Sequence, residues 1–319
     1  MAGDLFPDDA ALVEDCIASF GDHPEGHPDM WRHWHGLLGD RNTEGARNWL
    51  CAWSYIRWAD NLLDRADTPE AFSETLAWGM GRLRSLLNGD APENRREAAL
   101  VRFLTSADPS HVELFLKATA AAEFEKSQLA GAPAAEALEK IIHYNAVLPV
   151  LLHCRLFLEP CGLSPERVTE FGTSFGQVTR YADVFVDLEE DLDAGIIPIS
   201  REACERLGIS PVGRPGVDDQ RRIRVELAGD YREHRDRAGA ALASLGVDRR
   251  MRFAYGTVLQ AFDHCVYGAL RSVPRFAGFL LRHVDQAVPL TGFVIQSMLV
   301  SQAERAKVGA TVDPPSAHQ

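Results

Sequence analysis

Apolar residues recur along most of this chain with the three- and four-residue spacing of amphipathic α-helices, and no stretch alternates like a strand for long. Glycine, proline, serine and aspartate separate the periodic stretches, as is typical of helix boundaries. The pattern predicts helices over residues 8–20, 45–65, 69–87, 94–105, 110–130, 134–159, 165–193, 218–245, 248–271, 274–282 and 290–304. The sequence therefore predicts one all-α domain over residues 1–319, with a disordered tail from about residue 306.

One predicted helix carries three aspartates at four-residue intervals. An α-helix turns by about 100° per residue, so Asp183, Asp187 and Asp191 share one stripe. Arg180 falls on the same stripe, and the residues between are largely apolar, which predicts a packed helix. Carboxylates in such a place repel one another unless a cation neutralises them, and oxygen ligands favour Mg²⁺ over zinc. The alternative interpretation is a solvated acidic face.

A second copy of this pattern occurs earlier in the chain. Arg57, Asp60 and Asp64 repeat the Arg-x-x-Asp-x-x-x-Asp spacing, again among apolar residues. Two such helices can face each other across a cavity and hold Mg²⁺, whose open coordination positions suit phosphate oxygens. Arg57 and Arg180 can then donate forked hydrogen bonds to a diphosphate, and Arg282 is a third candidate donor. The alternatives are ion pairs within each helix and, for Arg282, a solvated surface position.

At these residues the chain resembles the squalene and phytoene synthase family, within the larger class of all-helical isoprenoid synthases. Residues 55–64 are similar to the family's first aspartate motif. Residues 183–191, with the following stretch 195–208, are similar to its second motif and the loop after it. The resemblance covers about residues 31–288 and implies an isoprenoid-synthase-type helical bundle around a central cavity.

The resemblance also implies a substrate and a cofactor. The substrate is an allylic prenyl diphosphate, and two or three Mg²⁺ ions stabilise the departing diphosphate. The catalytic metal ligands are expected to be Asp60, Asp64, Asp183, Asp187 and Asp191. None of these aspartates needs to act as a general base, because the diphosphate itself can accept a released proton.

The chain departs from the family where a second prenyl chain would lie. Family members carry small residues in the helix that corresponds to residues 144–157, whereas this chain has Pro149 and several bulky residues there. The residues expected to narrow the cavity into an acceptor pocket are Val147, Leu148, Leu151 and Leu152. The alternative is that they pack against a neighbouring helix. Further departures are Asn61, Arg180, Val186 and the loop 195–200.

These departures favour a prenyltransferase that joins an allylic prenyl group to a small, aromatic natural-product acceptor. One alternative is a head-to-head synthase of the squalene or phytoene type, and another is a terpene cyclase. A third is a catalytically inactive helical protein that binds prenyl diphosphate or a partner chain. The intact aspartate motifs argue against inactivity, and the bulky residues over 144–157 argue against head-to-head condensation.

The composition limits which cellular compartment and which binding partners are expected. The chain is 46% hydrophobic and 25% charged, as soluble globular proteins are, and its net charge of −13 argues against nucleic acid. Its six cysteines are scattered, which is consistent with reduced thiols. The first residues lack the features of a signal peptide, and the longest apolar run, 146–158, is short for a bilayer. We therefore expect a cytoplasmic protein without a transmembrane segment.

Overall fold

The computed structural model describes residues 8–19, 43–66, 68–120, 131–193 and 195–270. Within these ranges the regular structure is helical. The β-type pairing described there is one isolated bridge, between Gly131 and Ile196. The α-helices are α1 Asp9–Ala18, α2 Thr43–Asp64, α3 Pro69–Leu87, α4 Arg95–Ser106, α5 Pro109–Thr119, α6 Ala135–Ile142, α7 Leu148–Leu158, α8 Pro165–Asp193, α9 Arg201–Leu207, α10 Val217–Ser244 and α11 Arg249–Leu270. The predicted all-α fold class is confirmed. Arg282 and the helices predicted over 274–282 and 290–304 lie outside the described residues.

Side-chain caps explain where several helices begin. The capping side chain accepts a hydrogen bond from a backbone N–H of the first turn, which satisfies a donor that the helix leaves open. The residues that cap α1, α3, α4, α5 and α9 in this way are Asp8, Thr68, Asn94, Asp108 and Ser200. Helix α9 was not predicted, because its 7 residues are too few to show a helical period.

The helix predicted over 134–159 is interrupted by a π-helical turn. Helix α6 ends at Ile142, residues His143–Val147 form the π-turn, and α7 continues from Leu148. The N–H of Leu148 donates to the carbonyl oxygen of His143, five residues back. Pro149 follows directly and has no N–H of its own to donate. The wider turn therefore accommodates the proline without ending the helical stretch.

This same stretch is the most apolar part of the described chain. Residues Ala135–Cys161 are long and apolar enough to cross a membrane by length and composition, with a mean hydropathy of 1.5. Both this hydropathy and the buried share of 67% refer to the most apolar 18-residue stretch of that range. Core helices of soluble proteins have this signature as well.

Contacts divide the chain into two compact units, of which the first comprises residues 1–129 and 139–176. In this unit α2 packs against α1, α3, α4 and α7. The largest buried side chains here include Phe103, Phe115, Phe157 and Phe171. The single-domain organisation expected from the sequence stays a prediction.

The second unit comprises residues 130–138 and 177–319. Helices α10 and α11 pack together in it, around a buried polar cluster. The Tyr231 hydroxyl donates to Asp263 Oδ1 at 2.9 Å, and Arg235 Nη2 donates to Asp263 Oδ2 at 3.1 Å. Asp263 is fully buried, and its charge is balanced by the arginine. The pair ties α11 to α10.

Candidate functional site

The first aspartate motif lies on the C-terminal half of α2. Arg57 Nη1 donates to Asp60 Oδ2 at 2.9 Å, and the two side chains are 31% and 35% exposed. This is the ion pair within one helix that the sequence offered as the alternative to diphosphate binding. Exposed pairs of this kind contribute about 0–1 kcal/mol, so replacing the carboxylate by another anion costs Arg57 little. Asp64 is the last residue of α2, and its side chain lies outside the described part.

The second motif repeats this geometry near the end of α8. Arg180 Nη1 donates to Asp183 Oδ2 at 3.2 Å, with the arginine 23% and the aspartate 59% exposed. Asp187 and Asp191 are partly buried. Burial raises the pKa of the Asp191 carboxyl above its usual value; Arg180 opposes the shift, while Asp183 and Glu190 add to it. Negative charge along this stripe therefore exceeds what Arg180 neutralises.

Helix α8 is packed on one side and solvated on another, and its acidic stripe lies between the two. Val184, Phe185 and Leu188 are buried, as a packed helix requires. Asp183 lies in solvent, as the alternative interpretation expected. The aspartate stripe runs along the boundary of the packed face, where a hydrated ion and a phosphate can reach carboxylates.

The chemistry of these side chains fits Mg²⁺. All candidate ligands are carboxylates, and Mg²⁺ is usually held by one or two of them together with water and substrate phosphates. Among the described side chains, no three His, Cys, Asp or Glu groups lie close enough together to hold a metal ion. A cage of three carboxylates is not needed for this mode of binding. The assignment of the five aspartates as ligands, and the expectation that the two motif helices face each other, stay predictions.

The segment after the second motif is anchored by backbone hydrogen bonds. The N–H of Gly131 donates to the carbonyl of Gly195 at 3.0 Å, and the N–H of Ala132 donates to the carbonyl of Pro211 at 2.7 Å. Gly131 has a φ of 78°, and a Cβ on it would lie 2.6 Å from the Pro211 carbonyl oxygen. Only glycine fits here, both in conformation and in space. The loop that follows α8 is therefore held in one path.

Two residues predicted to line an acceptor pocket, Val147 and Leu151, lie against glycines of α8. A Cβ on Gly176 would lie 2.6 Å from the Cα of Val147, and one on Gly172 would lie 3.2 Å from the Cα of Leu151. The two glycines, four residues apart on α8, let it approach the π-turn and α7 at backbone distance. Helix packing, the alternative noted above, involves the side chain of Leu151, whose Cδ1 would lie 2.8 Å from a Cβ on Gly172, whereas Val147 meets α8 through its backbone. Leu148 and Leu152 are also buried, and their pocket role stays a prediction.

An aromatic cluster that the sequence did not single out precedes the first motif on α2. Trp49 and Trp53 stack with ring centroids 5.8 Å apart and an interplanar angle of 11°. Trp49 also meets His153 of α7 edge-on, with centroids 5.0 Å apart, and Phe157 at 6.3 Å. Burial lowers the pKa of His153 to about 3, so its imidazole is neutral at ordinary pH. The four-residue spacing of Trp49, Trp53 and Arg57 could have predicted that the two indoles share one side of α2 with the arginine.

A group of titratable side chains joins α8 to α10 in the second unit. Tyr181 stacks on His234 with centroids 5.2 Å apart and donates a hydrogen bond to Asp230. Burial raises the pKa of Asp230 to about 6, and the nearby Glu226 and Glu233 add to the shift. Tyr181 lies about 120° around α8 from the middle of the aspartate stripe, so this group faces away from the motif's aspartates.

Comparison with known proteins identifies the fold. No protein-family model matches the sequence, and a search of curated proteins finds no match. Squalene synthase HpnC from Alicyclobacillus acidocaldarius shares the fold with a TM-score of 0.60 at 18% identity, covering 84% of this chain and 95% of that one. A dehydrosqualene synthase solved with a ligand gives a TM-score of 0.63 at 14% identity, covering 96% of this chain and 100% of that one. At such identities the likeness shows the fold alone, which is the all-helical fold of these two synthases.

Proposed function

We propose that this protein is a Mg²⁺-dependent prenyltransferase that ionises an allylic prenyl diphosphate and transfers the prenyl group to a small aromatic acceptor. The observation that carries the proposal is the matching pair Arg57–Asp60 on α2 and Arg180–Asp183 on α8. Both pairs occur in a chain with the isoprenoid synthase fold. Each motif supplies a guanidinium next to carboxylates, which is the combination that a diphosphate with its metal ions requires.

The arginines and aspartates have distinct roles in this proposal. Asp60, Asp64, Asp183, Asp187 and Asp191 hold Mg²⁺, which neutralises the negative charge that grows on the departing diphosphate. Arg57 and Arg180 exchange their aspartate partners for diphosphate oxygens and donate forked hydrogen bonds. The bond between the prenyl C1 and the diphosphate oxygen breaks, and both of its electrons stay on the oxygen.

The acceptor step needs a dry and partly aromatic environment. An allylic cation reacts with water unless water is excluded, and rings such as Trp49 and Trp53 offer it a negative face. A new carbon–carbon bond then forms between the prenyl C1 and the acceptor ring. The ring loses the proton at that carbon, which the released diphosphate accepts. The stacked indoles and the neutral His153 beside them support an aromatic acceptor.

A head-to-head synthase of the squalene or phytoene type is the second candidate. Both structures compared above carry such names, a squalene synthase and a dehydrosqualene synthase. The contact of the Leu151 side chain with α8 also weakens the sequence argument against it, because at least part of the bulk over 144–157 faces a neighbouring helix. A terpene cyclase shares the ionisation step and differs only in its products.

Product analysis distinguishes these candidates. Purified protein is incubated with dimethylallyl, geranyl or farnesyl diphosphate and Mg²⁺, with and without 1-naphthol, and with EDTA as the metal-free control. We expect a prenylated naphthol that depends on Mg²⁺, and only diphosphate release when no acceptor is added. Squalene, phytoene or their cyclopropyl diphosphate precursors would instead establish head-to-head condensation. A cyclic hydrocarbon from a single diphosphate would establish cyclisation.

A further inference from the structure

The indole of Trp53 has a polar atom without a partner among the described residues. Its Nε1–H is shielded from solvent and meets no hydrogen-bond acceptor in that part of the chain. Asn61 Oδ1 is the other such atom among the described side chains of α2. A buried tryptophan N–H usually finds a partner, and leaving it unpaired is costly. A phenylalanine would fill much of the same space without that cost, so the N–H calls for an explanation.

Trp53 lies one helical turn before Arg57, the arginine that is proposed to bind the diphosphate. Trp53, Arg57 and Asn61 follow one another at four-residue intervals, on the same side of α2 as Asp60. Trp53 lies about 6 Å along the helix axis from Arg57, since each residue rises about 1.5 Å. A diphosphate held by Arg57 therefore lies about one helical turn from Trp53, next to the prenyl C1 that it carries. The acceptor must approach that carbon.

The surroundings of Trp53 select a planar, uncharged molecule. Its ring stacks on Trp49 at an interplanar angle of 11°, which offers a flat apolar surface. His153, which meets Trp49 edge-on, is neutral because burial lowers its pKa to about 3. An indole N–H is a donor only, so its missing partner is an acceptor atom. An oxygen on an aromatic ring combines these properties.

We propose that Trp53 positions the acceptor, with Nε1–H donating a hydrogen bond to the oxygen of a phenol or aryl ketone. This inference rests on the proposed function and narrows the acceptor to oxygen-bearing aromatic rings. The hydrogen bond fixes which ring carbon faces the prenyl C1. Trp53 thus acts through orientation, while the diphosphate is bound elsewhere on the same helix.

Binding of 1-naphthol and naphthalene to the full chain tests this role, because the two probes differ by one oxygen. Equilibrium dialysis is performed with Mg²⁺ and geranyl thiolodiphosphate, which does not ionise readily. Wild type should bind 1-naphthol about tenfold more tightly than naphthalene, the effect of one buried hydrogen bond. Trp53→Phe should bring the ratio of the two Kd values close to one, because any loss of stacking surface weakens the binding of both probes alike. Trp78→Phe, at a 48% exposed tryptophan, is the matched control and should keep the wild-type ratio.

A second measurement does not depend on the variant folding. In wild-type protein labelled with ¹⁵N-tryptophan, 1-naphthol should move one buried indole N–H resonance downfield, whereas naphthalene should not. Equal binding of both probes by wild type, no such resonance shift, or an unchanged ratio in Trp53→Phe would each overturn the inference. Diphosphate release from geranyl diphosphate is measured in parallel. Its absence in wild type would contradict the proposed function and is read separately from the binding ratio.

Discussion

Arg57 and Asp60 form a hydrogen-bonded ion pair of 2.9 Å at the partly exposed edge of α2. Arg180 and Asp183 repeat this pair on α8 at 3.2 Å, with the same three-residue separation and the same donating atom. In each pair the aspartate holds the guanidinium of the arginine three residues before it. The pairs are exposed enough to exchange partners, as the proposed diphosphate binding requires.

Replacing these arginines by lysine should reduce catalysis while keeping the charge. Arg57→Lys and Arg180→Lys each lose the planar fork that matches phosphate oxygens. We expect kcat/KM for geranyl diphosphate to fall about tenfold or more, in steady-state assays of diphosphate release. Arg237→Lys, in an exposed ion pair with Glu233 on α10, is the control. Wild-type kinetics in both motif variants would show that the arginines only pair with their own aspartates.

Gly176→Ala should destabilise the protein through overpacking. The added Cβ would lie 2.6 Å from the Cα of Val147, a backbone atom that cannot rotate away. Overpacking of this kind costs about 1–3 kcal/mol, which thermal unfolding followed by circular dichroism detects. Gly229→Ala on α10 has nothing within 4 Å of its new Cβ and should be neutral or stabilising by up to about 1 kcal/mol. Equal melting temperatures for Gly176→Ala and wild type would contradict the close helix contact.

The buried ion pair between α10 and α11 should be costly to break from one side. Asp263→Ala leaves the Arg235 guanidinium charged, with its side chain only 9% exposed. We expect a loss of about 3–5 kcal/mol in the free energy of unfolding, measured by urea titration. The double variant Arg235→Met with Asp263→Leu removes both charges and should recover most of that loss. If the single variant is as stable as wild type, Asp263 does not balance a buried charge.

Asp230 should make stability fall as the pH rises through the weakly acidic range. Its pKa is raised from 3.8 to about 6 in the folded state, so between these values the folded state binds the proton more tightly than the unfolded chain. The stabilisation is present below pH 3.8 and is lost as the pH approaches 6. Asp230→Asn should lack this decline, so its melting temperature should rise relative to wild type over the same range. Asp236→Asn, at an exposed position of α10, should track wild type, and the same behaviour in Asp230→Asn would refute the shift.

Periodicity predicted the long helices well because each buries one face along many turns. Residues 165–193 and 69–87 were expected to be helical and form α8 and α3 with those bounds. The π-turn at His143–Val147 was not expected, although Pro149 signalled an interruption. A proline removes one backbone hydrogen bond from a helix. Whether the helix then ends, bends or widens depends on its contacts with the rest of the fold.

Contacts within one helix of the candidate site could be predicted from residue spacing. Contacts between two helices could not. The spacing of Arg57 and Asp60 predicted both the ion pair within α2 and the alternative, in which the two side chains bind a diphosphate and its metal ions. Val147 and Leu151 could not be assigned to a pocket or to packing, because their neighbours Gly172 and Gly176 come from another helix. In the sequence, Trp53 is indistinguishable from any aromatic core residue. The structure adds that its indole N–H meets no acceptor among the described residues.

Diphosphate release from geranyl diphosphate tests the role of the aspartate motifs most directly. The assay compares wild type, Asp60→Ala, Asp187→Ala and the control Glu170→Ala, which removes an exposed carboxylate from the same helix as Asp187. We predict Mg²⁺-dependent release by wild type and Glu170→Ala, and a loss of at least about 100-fold in both aspartate variants, with unchanged melting temperatures. Full release by Asp187→Ala, or release by wild type that EDTA leaves unchanged, would contradict the assignment of these carboxylates to a magnesium–diphosphate site.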